Sequence, residues 1–331
     1  MTKVTTTKPR VTKSKVSAVK STEISLDINK IKSDIQSAFN GLNFDEETHS
    51  YTWNGKQLLS TTAYIDRFSG DFNAYFASEA KGNKNLRLNP LDKRNGTYYR
   101  NRWKFQREEA SNAGNRVHAF AECYPNFDAP LCNKEQGVLD FYEKLNKKYI
   151  ILFTEFRVYD SATLRAGTMD GLLYNTETGK LVIIDWKTNS RNIHECYKGA
   201  KLKAPFDSLY ATSLSKFAIQ LSDYANIINK NTGYEVEERW IIWLYSGDET
   251  KLDTDRSDDY KLIPTKADEP AKNYKLYKVD NHSTSIETCL QKDKKDLVAE
   301  SKPAKPKKGL FTKKPASKKD SLATTLKKAG K

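Results

Sequence analysis

The sequence predicts an α/β domain in which a mixed central β-sheet is flanked by helices on both sides. Some segments have the length and apolar content of β-strands, and others carry apolar residues at helical intervals. The predicted strands are 150–158, 169–174, 180–186 and 238–245, and the predicted helices are 25–42, 107–123, 136–149 and 207–229. Because the two kinds of element alternate along the chain, we expect them to pack as layers around one sheet.

Local signals indicate where several elements begin and end. Asn54-Gly55 is a hairpin turn signal, and Ser60 is a suitable cap for a helix that starts near Ala63. The apolar content of residues 238–245 is nearly continuous, which predicts a strand inside the sheet. Two further segments are predicted as an edge strand and an acidic surface loop, at 274–279 and 248–259.

The positive charge of the chain lies in its two ends. The net charge is +14, but residues 1–22 carry +6 and residues 291–331 carry +10, which leaves −2 for residues 23–290. Both ends are rich in Lys, Ser, Thr, Pro and Ala, so we predict disordered basic arms around a domain at 23–290. Such arms can tether nucleic acid through salt-sensitive contacts, or they can act only as solubilising tails.

The composition also bears on the cellular compartment. No apolar run reaches the length of a membrane span, and no apolar signal-peptide region follows the N-terminus. The four cysteines are few and irregularly spaced, which indicates reduced thiols rather than a disulfide framework; they are Cys123, Cys132, Cys196 and Cys289. We therefore expect a cytoplasmic protein without membrane contact.

The hairpin on either side of the turn residues 175–179 is the most informative stretch. An antiparallel register centred on this turn places Asp170 opposite Asp185. Side chains alternate along a strand, so Asp185 and Lys187 share one face while Trp186 points to the other. Two carboxylates this close favour a cation between them, and oxygen ligands suit Mg²⁺ or Mn²⁺. The spacing alone is also typical of an exposed cross-strand charge cluster, which is the commoner case.

Four motifs in order resemble those of the PD-(D/E)XK nuclease superfamily, and within it the RecB-like exonuclease branch of phage type. Asp185-Trp186-Lys187 resembles the DxK motif of that branch. The other three resemble its helix with a metal-binding His, its GxxD motif and its QxxxY motif; they lie at 103–118, 167–170 and 220–224. Four motifs in the expected order are much more specific than a lone DxK triplet.

The resemblance implies a restriction-endonuclease-like fold and a Mg²⁺- or Mn²⁺-dependent deoxyribonuclease. His118, Asp170, Asp185 and the Trp186 carbonyl would bind the metal, and Lys187 would position or activate the attacking water. A further acidic residue is expected on the preceding strand, where Glu155 could hold a second metal or orient the water. Some relatives hold an iron–sulfur cluster through a tight downstream group of cysteines; that group is missing from this sequence, so no cluster is expected.

The predicted DNA contacts lie mainly between residues 93 and 116. Basic and aromatic residues interleave there, so Arg100, Arg102 and Lys104 could contact phosphates while the rings stack on unpaired bases. Alternatively, the rings belong to the core and the charges are merely solvated. Arg116 completes the basic set, and the resemblance adds two residues that would contact DNA or the catalytic strand, Gln220 and Tyr224.

The family's exonucleases act at DNA ends, and the phage-type resemblance suggests viral DNA replication, recombination or repair in a host cytoplasm, with protein partners from those processes. Three alternatives share these observations. A structure- or site-specific endonuclease would use the same catalytic residues, and a noncatalytic DNA-binding or scaffolding protein would depend on its tails. A nuclease subunit of a helicase complex is the third, since the chain has no P-loop motif of its own. The sequence leaves cleavage polarity, strandedness, DNA versus RNA and oligomeric state open.

Overall fold

The computed structural model describes residues 27–70, 72–245, 260–262 and 273–300. The chain divides into two compact units, Met1–Thr288 and Cys289–Lys331. The predicted arm at 1–22, the tail from residue 301 onward and the predicted acidic loop at 248–259 lie outside the described residues. Among the described helices, none is both long and apolar enough to cross a lipid bilayer.

The described elements alternate between helix and strand along the chain. The helices are α1 Ile28–Ala38, α2 Thr61–Asp66, α3 Ala74–Leu88, α4 Gly96–Glu122, α5 Asn133–Lys144, α6 Ser213–Thr232 and α7 Ser283–Glu300. The strands are β1 Leu42–Asp45, β2 Ser50–Trp53, β3 Lys56–Ser60, β4 Tyr149–Asp160, β5 Arg165–Asn175, β6 Lys180–Lys187, β7 Glu195–Tyr197, β8 Val236–Leu244, β9 Tyr260–Leu262 and β10 Tyr274–Lys278.

Eight of these strands form one mixed sheet, as predicted. Its order is β1-β2-β3-β5-β6-β8-β10, with β4 paired to the other edge of β5, and β7 and β9 form a separate pair. The β3–β5 and β6–β8 pairs are parallel and the other pairs are antiparallel. The predicted inner strand is β8, between β6 and β10, and the predicted edge strand is β10.

Helices cover both faces of this sheet because its central strands are apolar on both sides. On one face, Leu181 and Ile183 of β6 pack with residues of α1 and α6. On the other face, Val182, Ile184 and Trp186 of the same strand pack with residues of α4 and α5. Alternation of side chains along β6 therefore supplies two separate cores.

Helix ends differ from the predictions where a capping side chain sets the boundary. α4 begins eleven residues before the predicted 107, since the side chain of Asn95 accepts a hydrogen bond from the backbone of Tyr98. α6 begins at Ser213 rather than 207, since the side chain of Thr212 accepts one from Ser215. α5 ends at Lys144, five residues before the predicted 149.

The predicted start of the disordered tail at residue 291 is wrong, because α7 continues to Glu300. Residues 290–300 contain Leu, Val, Ala, Glu and Lys, which are compatible with a helix, and only beyond them do Pro and Ser become frequent. The helical segment therefore takes up the first ten residues that composition alone assigns to the tail.

A buried histidine gives the fold a measurable sensitivity to acid. His194 is 8% exposed and packs edge-on against the ring of Tyr277, and burial lowers its pKa to about 4. The unfolded chain binds a proton near pH 6.5 and the folded chain does not, so stability is lost as pH falls between these values. For His194→Phe we expect about 2 kcal/mol less loss of unfolding free energy than in the wild type between pH 7 and 4.5. Urea unfolding at both pH values measures this difference, and parallel losses in the two proteins would contradict the assignment.

Candidate functional site

The site lies on β5, where one edge of that strand is only partly paired. β4 follows one edge of β5 along its length. On the other edge, β3 pairs with Arg165 and Ala166, whereas β6 pairs from Gly171 to Asn175. Residues 167–170 therefore face the fork between β3 and β6. The fork gives polar side chains a place near the middle of an otherwise apolar sheet.

The register of the hairpin brings the predicted acidic pair to this fork. Gly171 pairs with Ile184, so the next residues along the two strands are Asp170 and Asp185, as the turn position predicts. Here the Trp186 N–H donates a 2.6 Å hydrogen bond to Asp170 Oδ2. The indole of Trp186 points to the opposite side of the sheet and packs between the rings of Phe141 and Tyr142.

Three side chains from different elements converge beside Asp170. His118 Nδ1, on α4, lies 3.4 Å from Asp170 Oδ1 and 3.7 Å from Glu155 Oε1, on β4. One ligand atom from each of the three residues lies within 4.8 Å of the others. The side chains of His118 and Glu155 are 29% and 28% exposed, so the cluster is open to solvent. This is the only such group of His, Cys, Asp and Glu residues found in the described part of the chain.

Glu155 reaches the cluster through an unusual backbone conformation. Its neighbours Thr154 and Phe156 pair with Gly171 and Met169, so Glu155 lies across from Asp170. Its φ is +47°, in the left-handed region that side chains other than glycine rarely adopt. Such a conformation costs on the order of 1 kcal/mol and is retained mainly where it serves a site.

Asp185 stands next to this group and is paired with a cation of the chain itself. Its Oδ2 lies 2.6 Å from Lys187 Nζ, and the two side chains are 2% and 16% exposed. The ammonium of Lys187 occupies this oxygen, so a metal ion bound at Asp185 would share the carboxylate with the lysine.

A residue that the sequence analysis did not identify holds the lysine from its other side. The ammonium of Lys187 lies 4.5 Å from the centre of the Phe217 ring, on α6. Phe217 precedes Gln220 by three residues and Tyr224 by seven, which places it on the same helix face. This helical spacing was the signal in the sequence that could have identified Phe217 as a site residue. The same spacing is equally compatible with a core residue.

The titration behaviour of the cluster follows from burial and mutual charge. Burial acts to lower the pKa of His118, but the Asp170 carboxylate outweighs it and raises this pKa to about 10. Burial acts to raise the pKa of Asp170, but the charges of His118 and Lys187 keep it below its usual value. Burial raises the pKa of Asp185, where the Asp170 charge acts in the same direction. The imidazolium and the ammonium thus supply the positive charge that these carboxylates require.

This donor set fits a divalent cation. Carboxylate oxygens are ligands for Mg²⁺ and Mn²⁺, and a neutral imidazole nitrogen is compatible with transition metals. A metal ion bound at His118 would therefore displace the proton that the neighbouring carboxylates stabilise there. His118, Glu155 and Asp170 offer one atom each at suitable separations, and Asp185 lies beside them with its carboxylate paired to Lys187. The contact that Trp186 makes with the cluster is through its N–H, so the ligand role of its carbonyl remains a prediction.

The predicted Gln220 and Tyr224 support the site from α6. Gln220 Nε2 donates a 2.9 Å hydrogen bond to the Tyr224 hydroxyl, and the tyrosine is 2% exposed. The ring lies against β5, where a Cβ added to Gly167 would be 2.4 Å from Tyr224 Cε1. The buried ring of Tyr224 therefore contacts β5, the strand that carries Asp170, and a contact with DNA remains a prediction.

Gly167→Ala is expected to destabilise the fold by about 1–3 kcal/mol, because the new methyl group meets the Tyr224 ring. The geometry of the cluster at Asp170 is expected to change as well, since β5 must shift. Chemical unfolding of this variant and of Gly70→Ala provides the comparison, because a Cβ at Gly70 meets nothing within 4 Å. Equal stability of the two variants would show that the close contact is not needed.

Two of the four arginine and lysine residues predicted to bind DNA are held by contacts within the protein. Arg100 pairs with Glu79 at 2.6 Å and also donates to Ser78. Arg116 pairs with Glu135 at 3.0 Å and so links α4 to α5. The other two also lie on α4, where Arg102 is half-buried and the exposed Lys104 lies 3.8 Å from Glu108. The four basic residues are thus on one helix, and the ion pairs of Arg100 and Arg116 tie it to α3 and α5.

Two comparisons of the sequence with known proteins found no match. No protein-family model matches the chain, and no curated protein sequence matches it. The assignment of a function therefore depends on the cluster itself and on the order of the motifs that form it.

Proposed function

We propose that this chain is a divalent-metal-dependent DNA nuclease with the restriction-endonuclease-like fold of the PD-(D/E)XK superfamily. The proposal is carried by the convergence of His118, Glu155 and Asp170 within 4.8 Å, beside the Asp185–Lys187 pair. Glu155, Asp170 and Asp185 come from the consecutive strands β4, β5 and β6, and His118 joins them from α4, which an ordinary cross-strand charge cluster would not require. The motif order favours the RecB-like branch, and with it exonuclease activity at DNA ends.

The proposed chemistry is direct attack of water on a DNA phosphate. A bound Mg²⁺ or Mn²⁺ would make water nucleophilic near neutral pH and would offset the negative charge that develops on the phosphate. His118, Asp170 and Asp185 would hold that ion. No covalent link between protein and DNA is required.

The remaining side chains have separate tasks in this scheme. Lys187, held between Asp185 and the Phe217 ring, would donate a hydrogen bond to a phosphate oxygen or to the attacking water. Glu155 is accessible from solvent and lies within reach of His118, so it would accept the proton of the water or hold a second ion. The phage-type resemblance suggests that this activity serves viral DNA replication, recombination or repair.

Incubation of the full chain with end-labelled DNA tests this function. Linear single strands, linear duplexes and circular DNA should each be offered with Mg²⁺, with Mn²⁺ and with EDTA. We expect cleavage of linear DNA that depends on the metal and leaves circles intact. Cleavage of circles would favour an endonuclease. A folded protein that binds DNA but cleaves none of these substrates in either metal would favour a noncatalytic DNA-binding protein.

A further inference from the structure

The helical hairpin of α3 and α4 concentrates positive charge on an otherwise acidic domain. Residues 72–122, which include both helices, contain ten lysines and arginines against five acids, for a net charge of +5. The rest of residues 23–290 therefore carries a net charge of −7. A surface of opposite sign to the body that bears it is a candidate for binding a polyanion.

The same hairpin exposes large aromatic rings. Phe72, Tyr75 and Phe76, at the start of α3, are 74%, 57% and 69% exposed. They lie beside α4: the Phe72 ring is 6.2 Å from that of Trp103, and the Arg100 guanidinium lies 4.9 Å from the centre of the Tyr75 ring. A cluster of exposed rings usually indicates a binding surface.

One face of α4 connects this surface to the proposed metal site. Arg100, Lys104, Arg107 and Ser111 recur at intervals of four, three and four residues, and His118 follows seven residues later on the same face. At a rise of 1.5 Å per residue, Lys104 lies about 21 Å along the helix from His118. That length corresponds to about six nucleotides at the 3.4 Å spacing of a stacked strand.

We propose that this face of the α3–α4 hairpin binds single-stranded DNA and leads its end to the cluster of His118, Glu155 and Asp170. The net charge favours nucleic acid over a protein partner. The exposed rings favour a single strand over a duplex, because only unpaired bases offer free faces for stacking. The part of the proposal that concerns the strand end rests on the proposed nuclease function, whereas the binding surface does not.

Binding of full-length protein to labelled single-stranded and duplex DNA, measured in EDTA to prevent cleavage, tests the surface. For Phe72→Ala with Phe76→Ala we expect single-strand affinity to fall at least about 5-fold, with duplex affinity and salt dependence unchanged. The matched control is Leu131→Ala with Tyr210→Ala, which removes two exposed apolar side chains outside the hairpin. All variants keep both basic tails, so the tails contribute equally.

Charge removal gives an independent readout. Lys104→Ala with Arg107→Ala should weaken single-strand binding and lower the slope of log affinity against log salt by about 1.4. Lys56→Ala with Lys147→Ala makes the same charge change at exposed positions elsewhere. Its slope should stay larger than that of the Lys104→Ala, Arg107→Ala variant. In Mg²⁺, cleavage of duplexes with single-stranded overhangs should increase until the overhang reaches about six nucleotides.

The outcomes separate this surface from the nuclease. If single-strand binding follows these expectations but no DNA is cleaved, the proposed binding surface is supported and the proposed nuclease function is contradicted. If the phenylalanine variants cleave single strands and bind them with unchanged affinity, the proposed binding surface is contradicted and the proposed nuclease function is supported. The proposed surface would also be overturned if those variants lost single-strand and duplex affinity equally. The same conclusion would follow if the hairpin variants disrupted only an association between proteins.

Discussion

Asp185→Asn is expected to reduce DNA cleavage by at least about 100-fold in Mg²⁺ or Mn²⁺. The change removes a carboxylate charge beside Asp170 while keeping the size of the side chain, so metal affinity falls without a cavity. The same carboxylate also compensates Lys187 at 2.6 Å, and its loss leaves the ammonium less well oriented. Both effects act on the chemical step.

DNA retention should change little in Asp185→Asn, because the basic tails and the α3–α4 hairpin are unaltered. Rates of cleavage and affinity in EDTA are to be measured side by side. Asp207→Asn, the same chemical change at an exposed position, serves as the control. Wild-type cleavage by Asp185→Asn would contradict the role of this carboxylate in cleavage. A folded Asp185→Asn protein that no longer binds DNA would contradict the claim that cleavage and DNA binding depend on different residues.

Lys187→Ala is expected to abolish cleavage and yet to leave metal binding intact. The ammonium donates to the reacting groups in our scheme, so its loss removes charge stabilisation of at least about 100-fold. Because Lys187 and a divalent cation share the carboxylate of Asp185, removal of the lysine should preserve or tighten metal affinity. A ligand variant cannot show this combination.

The same substitution should destabilise the protein when no metal is present. Loss of one partner leaves Asp185 buried without its cation, at a cost of about 3–5 kcal/mol in unfolding free energy. Addition of Mn²⁺ should restore much of that stability. Lys180→Ala is the matched control on the same strand, because its pair with Glu235 lies at the surface, where solvent screens it. Equal melting temperatures of the two variants in EDTA would contradict this account.

The features that sequence could predict are those that depend on neighbouring residues. The position of Asp170 opposite Asp185 follows from the turn at 175–179, and the faces of Lys187 and Trp186 follow from strand alternation. The mixed sheet follows from the alternation of elements. The approach of His118 to Asp170 was predicted only through motif order, since α4 and β5 are far apart in the chain.

The features that sequence missed depend on partners brought together by folding. Nothing in the sequence distinguishes Arg100 and Arg116 from arginines that are available to bind phosphate. In the structure they form ion pairs with Glu79 and Glu135. The left-handed backbone of Glu155 cannot be inferred from a Glu in a strand pattern. Phe217 acts on Lys187 only because α6 crosses the end of β6. No local pattern encodes these contacts.

A titration with Mn²⁺ is the most direct test of the central claim, that His118, Asp170 and Asp185 hold one divalent ion. Calorimetry or electron paramagnetic resonance should show one saturable site of this kind in the wild type and more than about 100-fold weaker binding in His118→Ala and Asp170→Asn. Asp207→Asn should bind as the wild type does. Absence of a saturable site in the wild type, or equal affinity in all four proteins, would contradict the account.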